Sequence, residues 1–316
     1  MSRNFSSQRG APTDRGSNPP AGASAGQVQY PLPAELANLF RRANKSTLNP
    51  AVMFDRFVPD LSVAGEKEEW RKEALRIAAV KPDENALGHY LKRWREVVGA
   101  SGATPFSLKT DWRFIPGLGR KSALEIGFNF HRYGFAYLPG SAVKGIARTY
   151  ALYELAEAVG FSAEEPEALS KLDQLLEKPT EDFQKEIKGQ AQWRELAGLS
   201  EKAAPFRTVF GTLEQAGGAI FFEALPTEAF ELEPDIMNPH YGPYYQKKDE
   251  PPADWHNPIP VSFLTVPAGK EFSFAVGWRR GAAHPELRST AEGWLKQGLR
   301  ELGAGAKTAA GYGYFK

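Results

Sequence analysis

The sequence predicts an α+β fold, a two-layer sandwich of helices on antiparallel strands, and three observations predict it. Apolar residues recur at helical spacing before residue 100 and again near 140, 170 and 290. Strict two-residue alternation marks several short segments after residue 105. From there the order reads strands, helix, helical insertion, strands, helix, strand, which fits a ferredoxin-like (RRM-like) split unit with decorations.

Each element has its own warrant. Residues 1–33 are rich in Ser, Gly, Pro and Ala and carry Arg3, Arg9 and Arg15, so a disordered tail is expected, with too little apolar surface to offset ordering entropy. A single domain is expected over 34–316, opening with a helical region to about residue 100. Leu36, Leu39 and Phe40 mark one face of a short helix, and Leu87, Tyr90, Leu91, Trp94 and Val98 mark a clearer one over 84–98. Lys92, Arg93 and Arg95 on its other side read as a solvated face.

Phe106, Leu108, Trp112 and Phe114 alternate with Ser107, Lys109, Asp111 and Arg113, which predicts a strand with one buried face. After the turn at Pro116-Gly117-Leu118-Gly119, Leu124, Ile126, Phe128 and Phe130 alternate with Glu125, Gly127 and Asn129, and the two segments are expected to pair as a hairpin. Leu138-Pro139-Gly140-Ser141 ends extended structure and starts a helix, with Ser141 as N-cap and Val143, Ile146, Ala147 and Tyr150 buried. Leu169, Leu172, Leu175 and Leu176 belong to a charged helical insertion over about 164–200. Strands return at 219–225, at 261–266 and at Phe272, Phe274, Val276 and Trp278. A last helix carries Leu287, Ala291, Trp294, Leu295 and Leu302, before a glycine-rich run to Tyr314 and Phe315.

Composition narrows the function classes. There is no cysteine, so disulfides, thiolate metal sites and cysteine nucleophiles are all excluded, and no run of 18 apolar residues is present. A soluble, cytoplasmic protein is expected, without contact with a membrane. The formal charge of +1 argues against a uniformly basic nucleic-acid binder, so any RNA site must be a local patch.

Three elements could form such patches. The segment 302–313, with Gly305, Lys307, Thr308 and Tyr312, resembles a phosphate loop but is not a Walker A motif, because Ala306 stands where glycine must precede the lysine. A bare turn is the alternative. At Gly140-Ser141 a helix N-terminus meets Lys144 and Arg148, four residues apart, so a polyanion could lie across it; a solvated pair is the alternative. The third element, Asp235 to Lys248 with Trp255 and His256, sets His240, Tyr241, Tyr244 and Tyr245 beside Lys247 and Lys248, as RNA stacking or a protein interface would. Arg120 and Arg132 complete the RNA-binding candidates. Catalysis is not indicated: the five histidines lack metal-site spacing, and His131 and Asp55, the candidate base and acid, read more readily as a surface or core-edge histidine and half of an ion pair. No cofactor or metal is expected.

Gly117-Leu118-Gly119 with 123–127, Leu138 to Gly145, Phe210-Gly211, Asp235 to Tyr245, Pro260 to Leu264 and the ending 305–313 together resemble the RAMP superfamily of CRISPR-associated proteins. Within it they resemble the sixth-subunit family of type III-B Cmr effector complexes. The resemblance covers most of 106–316. It implies a non-catalytic backbone subunit that holds guide RNA by its phosphates toward the 3′ end, with target RNA and neighbouring RAMP subunits as further partners. A RAMP endoribonuclease processing precursor guide RNA, and a protein-only scaffold, are the competing readings.

Overall fold

Helices fill the first hundred residues: α1 (Ala34–Arg42), α2 (Pro50–Arg56), α3 (Lys67–Ala78) and α4 (Glu84–Ala100). The computed structural model describes residues 30–58, 67–122, 124, 126–161, 166–238, 251 and 260–316, so the expected tail lies outside the described residues as far as residue 29. Asn49 and Asp83 start α2 and α4 by accepting first-turn N–H groups. α4 buries Leu87, Leu91, Trp94 and Val98 as its spacing predicts. α1 is rotated from expectation, with Ala37 and Phe40 buried and Leu39 67% exposed. The Phe40 ring packs between Tyr30 (4.9 Å) and Phe57 (4.7 Å), and seating that ring turns Leu36 and Leu39 outward.

The strands are short and their pairing is long-range. β1 (Phe106–Lys109) runs antiparallel to β6 (Glu271–Phe274), with Phe106 opposite Phe274, and β6 also pairs β3 (Leu225–Pro226). The chain continues through Ala275 into β7 (Val276–Trp278), which pairs β2 (Ala219–Phe221). One continuous segment therefore serves two sheets. A third pair is β4 (Glu233–Met237) with β5 (Val261–Thr265), Met237 opposite Val261. The alternation over 272–278 predicts one buried face, yet Ser273 and Ala275 are buried too. Phe272, Phe274, Val276 and Trp278 belong to the main core, while Ala275 packs in a second cluster with Leu87, Leu91 and Trp94, so α4 covers the other face.

The expected hairpin does not form. Gly127 N–H donates to the Leu118 carbonyl (2.9 Å) and Asn129 N–H to that of Pro116 (2.7 Å), but the segment bends instead of building a ladder. A Cβ at Gly127 would stand 2.5 Å from the Gly117 carbonyl, an approach closer than a regular pair allows. The alternation reported burial alone, since Leu124, Ile126, Phe128 and Phe130 all enter the main core. β1 also stops earlier than its pattern. Beyond Lys109 the chain bends, and Trp112, expected on the buried face, is 44% exposed.

α5 (Gly140–Ala158) begins one residue before Ser141, with Pro139 at the N-cap, so Ser141 lies exposed in the first turn and is not the cap. The fixed φ of proline starts the helix without a side-chain cap. The insertion runs further than 200, as α6 (Pro166–Glu177), α7 (Thr180–Gly189), α8 (Ala191–Arg194) and α9 (Leu199–Phe210), with Leu172, Leu175 and Leu176 buried. α10 (Leu287–Glu301) packs on α5 at Gly298, where a Cβ would come within 2.9 Å of Ile146. After it the chain returns beside β1: Lys316 and Lys109 exchange backbone hydrogen bonds (2.8 and 2.9 Å), and the Phe315 ring is buried against Phe114 and Phe274.

Candidate nucleic-acid interface

The glycine-rich run after α10 is packed tightly at both ends. Ala304 N–H donates to the Gly313 carbonyl (2.8 Å), Gly313 N–H to that of Arg113 (2.8 Å) and Ala306 N–H to that of Ile115 (3.0 Å). Gly305 has φ +78° and a Cβ there would stand 2.3 Å from the Ile115 carbonyl, so its glycine serves packing. Between these ends the loop is open. Lys307 adopts the left-handed conformation (φ +61°), and a 3₁₀ turn follows over Thr308–Ala310. The N–H groups of Lys307, Thr308 and Ala309 have no acceptor among the described residues. The Lys307 ammonium lies 5.8 Å over the Phe263 ring and has no carboxylate partner among them. A left-handed residue followed by right-handed ones turns successive N–H groups toward one concavity, and anions are held there.

Tyr312 is placed differently from expectation. Its ring is 9% exposed, lies 4.6 Å from Trp112, and its hydroxyl donates to Asp235 Oδ2 at 2.8 Å. Arg113 donates to the same oxygen at 2.6 Å. Burial pushes the Asp235 carboxyl up, but hydrogen bonds from Tyr312, the Ile236 backbone and Arg113 outweigh it and leave the group below its ordinary value. Tyr312 thus supports the loop from beneath, tying it to β4. The far ends of β4 and β5 lead to 239–250 and 252–259, so His240, Tyr241, Tyr244, Tyr245, Lys247 and Lys248 lie outside the described residues.

The second element opens on a groove of about 420 Å³, lined by Tyr90, Arg93, Trp94, Val97, Gly140, Phe221, Phe222 and Glu223. A Cβ at Gly140 would stand 2.5 Å from the Phe221 carbonyl, so glycine lets the start of α5 sit against that wall. The Arg93 guanidinium lies 5.4 Å over Tyr90, whose hydroxyl donates to Glu223 at 2.5 Å. Burial first, then that carboxylate, push the Tyr90 hydroxyl up to about 12. Tyr133 is 5.9 Å from Tyr90, and Arg132 beside it is exposed with no carboxylate partner among the described residues. Helical spacing alone cannot show that the solvent-side Arg93 lines the same groove as Gly140. Arg120 is also exposed, and among the described residues its guanidinium reaches Asn129 (3.4 Å).

Lys144 and Arg148 turn inward instead of lying open to a polyanion. Lys144 Nζ donates to the carbonyl of Phe210, the end of α9, at 3.0 Å, and burial and then Arg148 lower its pKa. Arg148 bridges Asp173 (2.5 Å) and Glu177 (2.8 Å) of α6, with Phe206 below its guanidinium at 5.2 Å. Both cations fasten the insertion to α5. Arg148→Ala is expected to destabilise the protein by about 1 kcal/mol, because part-buried Asp173 and exposed Glu177 lose their shared partner and Phe206 loses the guanidinium over its ring. An unchanged urea midpoint would refute that role.

His131 is enclosed by rings, stacked on Phe135 at 4.4 Å and 4.4 Å from Tyr90. Its Nδ1 accepts the Tyr133 N–H (3.4 Å), which makes Nδ1 the unprotonated nitrogen. Burial, then Arg132, push its pKa from 6.5 down to about 4. As pH falls from 6.5 toward 4, the unfolded chain takes up a proton that the folded one refuses, so stability declines through that window by about 1–3 kcal/mol. Urea unfolding at pH 7 and pH 5 should show this loss, and His131→Phe should reduce it. Asp55 is exposed on α2, and His89 and His284 stand apart on the surface. Among the described residues no group of three His, Cys, Asp or Glu could hold a metal, and no helix is long and apolar enough to cross a membrane.

The sequence profile of the RAMP superfamily matches residues 117–316. CRISPR system Cmr subunit Cmr6 of Pyrococcus furiosus is 36% identical over 247 residues, 71% of either chain. Its counterpart in Saccharolobus solfataricus is 25% identical over 217 residues, covering 67% of this chain and 56% of that one. A chain in the cryo-EM structure of the type III-B Cmr-beta bound to cognate target RNA aligns with 79% of this chain and 72% of its own, at TM-score 0.51 and 20% identity, which is a likeness of fold. The C-terminal loop, the Arg120 turn and α5 all fall inside the profile, whereas α4 with Arg93 precedes it. With the α+β layers and that long shared stretch, the chain belongs to the RAMP superfamily and, within it, to the Cmr6 family of type III-B CRISPR subunits.

Proposed function

We propose that the chain is a non-catalytic backbone subunit of an RNA-guided, RNA-targeting type III-B Cmr complex, gripping guide RNA by its phosphates toward the 3′ end. The observation that carries this reading is the row of N–H groups from Lys307 to Ala309 that find no acceptor among the described residues, beside an ammonium that finds no carboxylate among them. Such a concavity takes a phosphate oxygen without reading a base, as a subunit that must accept every guide sequence requires. Arg120, Arg132 and Arg93 extend the contact, and Gly140 with Ser141 offers the first turn of α5 to a further phosphate. Lys144 and Arg148 serve this reading indirectly, by holding the insertion. Base pairing within the guide then selects the target RNA, and sister RAMP subunits share the load, which suits a chain of formal charge +1.

The ring-enclosed His131, whose imidazole is a weak base, argues against the processing-nuclease alternative. The test is co-purification of the tagged chain from its native host after ultraviolet crosslinking. Guide RNAs, sister RAMP subunits and crosslinked peptides from 303–313 and 120–141 are the expected finding. A lone, RNA-free protein would refute the reading, and cleavage of repeat RNA by the isolated chain would refute its non-catalytic part.

A further inference from the structure

Trp112 stands at the surface for a reason that packing does not supply. Its ring is 44% exposed and lies outside the main core, although neighbouring Phe114 is fully buried. One side of the ring is backed by Tyr312 at 4.6 Å, with an interplanar angle of 45°. Tyr312 is itself immobilised through its bond to Asp235, which Arg113 clamps. Gly311 lies along one edge of the indole, and a Cβ there would rest against the ring at 3.8 Å, so glycine leaves that much more of the edge uncovered. Arg113 sits 6.0 Å from the ring and pairs with Asp235, and Lys316 pairs with Asp111, so these neighbouring acidic groups are already matched. Phe263, 6.3 Å from Tyr312, carries the Lys307 ammonium at 5.8 Å.

A large aromatic plane, held rigid from behind and open in front, beside a phosphate-type loop, has the parts of a stacking site for an unpaired nucleobase. We infer that Trp112 is a base-stacking platform, on which one unpaired base of the RNA rests while the Lys307–Ala309 loop holds a neighbouring phosphate. This rests on the RNA-backbone reading above and adds a contact of a different physical kind. Stacking accepts every base, so it adds affinity without reading sequence. It also releases no counterions, so it leaves the salt dependence alone.

The full-length chain would be titrated into fluorescein-labelled oligouridylate over a range of salt, as wild type, Trp112→Leu, Trp112→Phe and Lys307→Ala. Trp112→Leu should weaken binding roughly tenfold with an unchanged salt slope, and Trp112→Phe should restore most of the loss. Lys307→Ala should instead flatten the slope. Wild type should also lose affinity for an abasic oligomer of the same length, a comparison that needs no variant to fold. Equal affinities for the uridylate and its abasic counterpart would overturn the stacking site, as would Phe and Leu variants that behave alike. If Trp112→Leu keeps its RNA affinity but no longer captures sister subunits, the ring is a protein contact and the inference fails while the phosphate reading stands. Absence of any RNA binding by wild type would remove both.

Discussion

Gly313→Ala is expected to cost about 3 kcal/mol or more of folding stability, the largest loss foreseen for a single added methyl group in this chain. Gly313 has φ +81°, and a Cβ there would stand 1.9 Å from the carbonyl of Ala304, the residue whose N–H closes the loop on the Gly313 carbonyl. Neither neighbour can yield, because both are backbone and both are bonded: Gly313 N–H to Arg113 and Ala304 N–H to Gly313. Gly311→Ala provides the comparison. Its φ is +91°, but no atom lies nearer than 3.8 Å to its added Cβ, so it bears backbone strain without collision, about 1 kcal/mol. Urea unfolding should separate the two variants clearly, and equal midpoints would show that the loop does not hold the closed geometry described above.

Lys307→Ala combined with Arg132→Ala is expected to lower single-stranded RNA affinity by roughly a hundredfold at low salt, about tenfold for each charged contact. The slope of log affinity against log salt should fall by about 1.4, since each phosphate contact on a single strand contributes about 0.7. Both side chains lack carboxylate partners among the described residues, so neither substitution strands a buried charge and the fold should survive. Arg148→Ala makes the contrast. Its guanidinium already holds Asp173 and Glu177, so that variant should lose stability while keeping the RNA salt slope. A double variant with wild-type slope would refute phosphate contact at both positions, and a flattened slope for Arg148→Ala would return that arginine to the interface.

What the sequence made legible follows from how local each cause is. α4 and α10 could be read because burial every third or fourth residue is a property of the helix itself. The partner of β1 could not. Alternation over 106–114 and 124–130 is compatible with a hairpin, and nothing local reveals that β6, more than half the chain away, pairs better. Trp112 shows the same limit: it keeps the alternating pattern, but the bend after Lys109 breaks the register and turns it outward. Among the candidate contacts, glycine and lysine types pointed to the loop at 305–309 whose N–H groups stand open among the described residues, yet charge pattern alone does not tell whether a cation meets solvent or a carboxylate. Asp173 and Glu177 lie in an insertion whose docking on α5 was not written in α5 itself, so Arg148 read as free.

The segment that runs through β6 and β7 also sets an order of events during synthesis. β1, β2 and β3 all wait for it, because each pairs with some part of 271–278 and none pairs with another of the three. At about 5–20 residues per second, β1 therefore leaves the ribosome several seconds or more before its partner exists. Until then its edge is unpaired, and α4, which already has a nascent helical face, is the element available to shelter nearby apolar side chains. Formation of these two sheets, unlike the β4–β5 pair, is a late, concerted step in which one segment closes both ladders at once, so amides on both sides of Ala275 should exchange with solvent only through global unfolding.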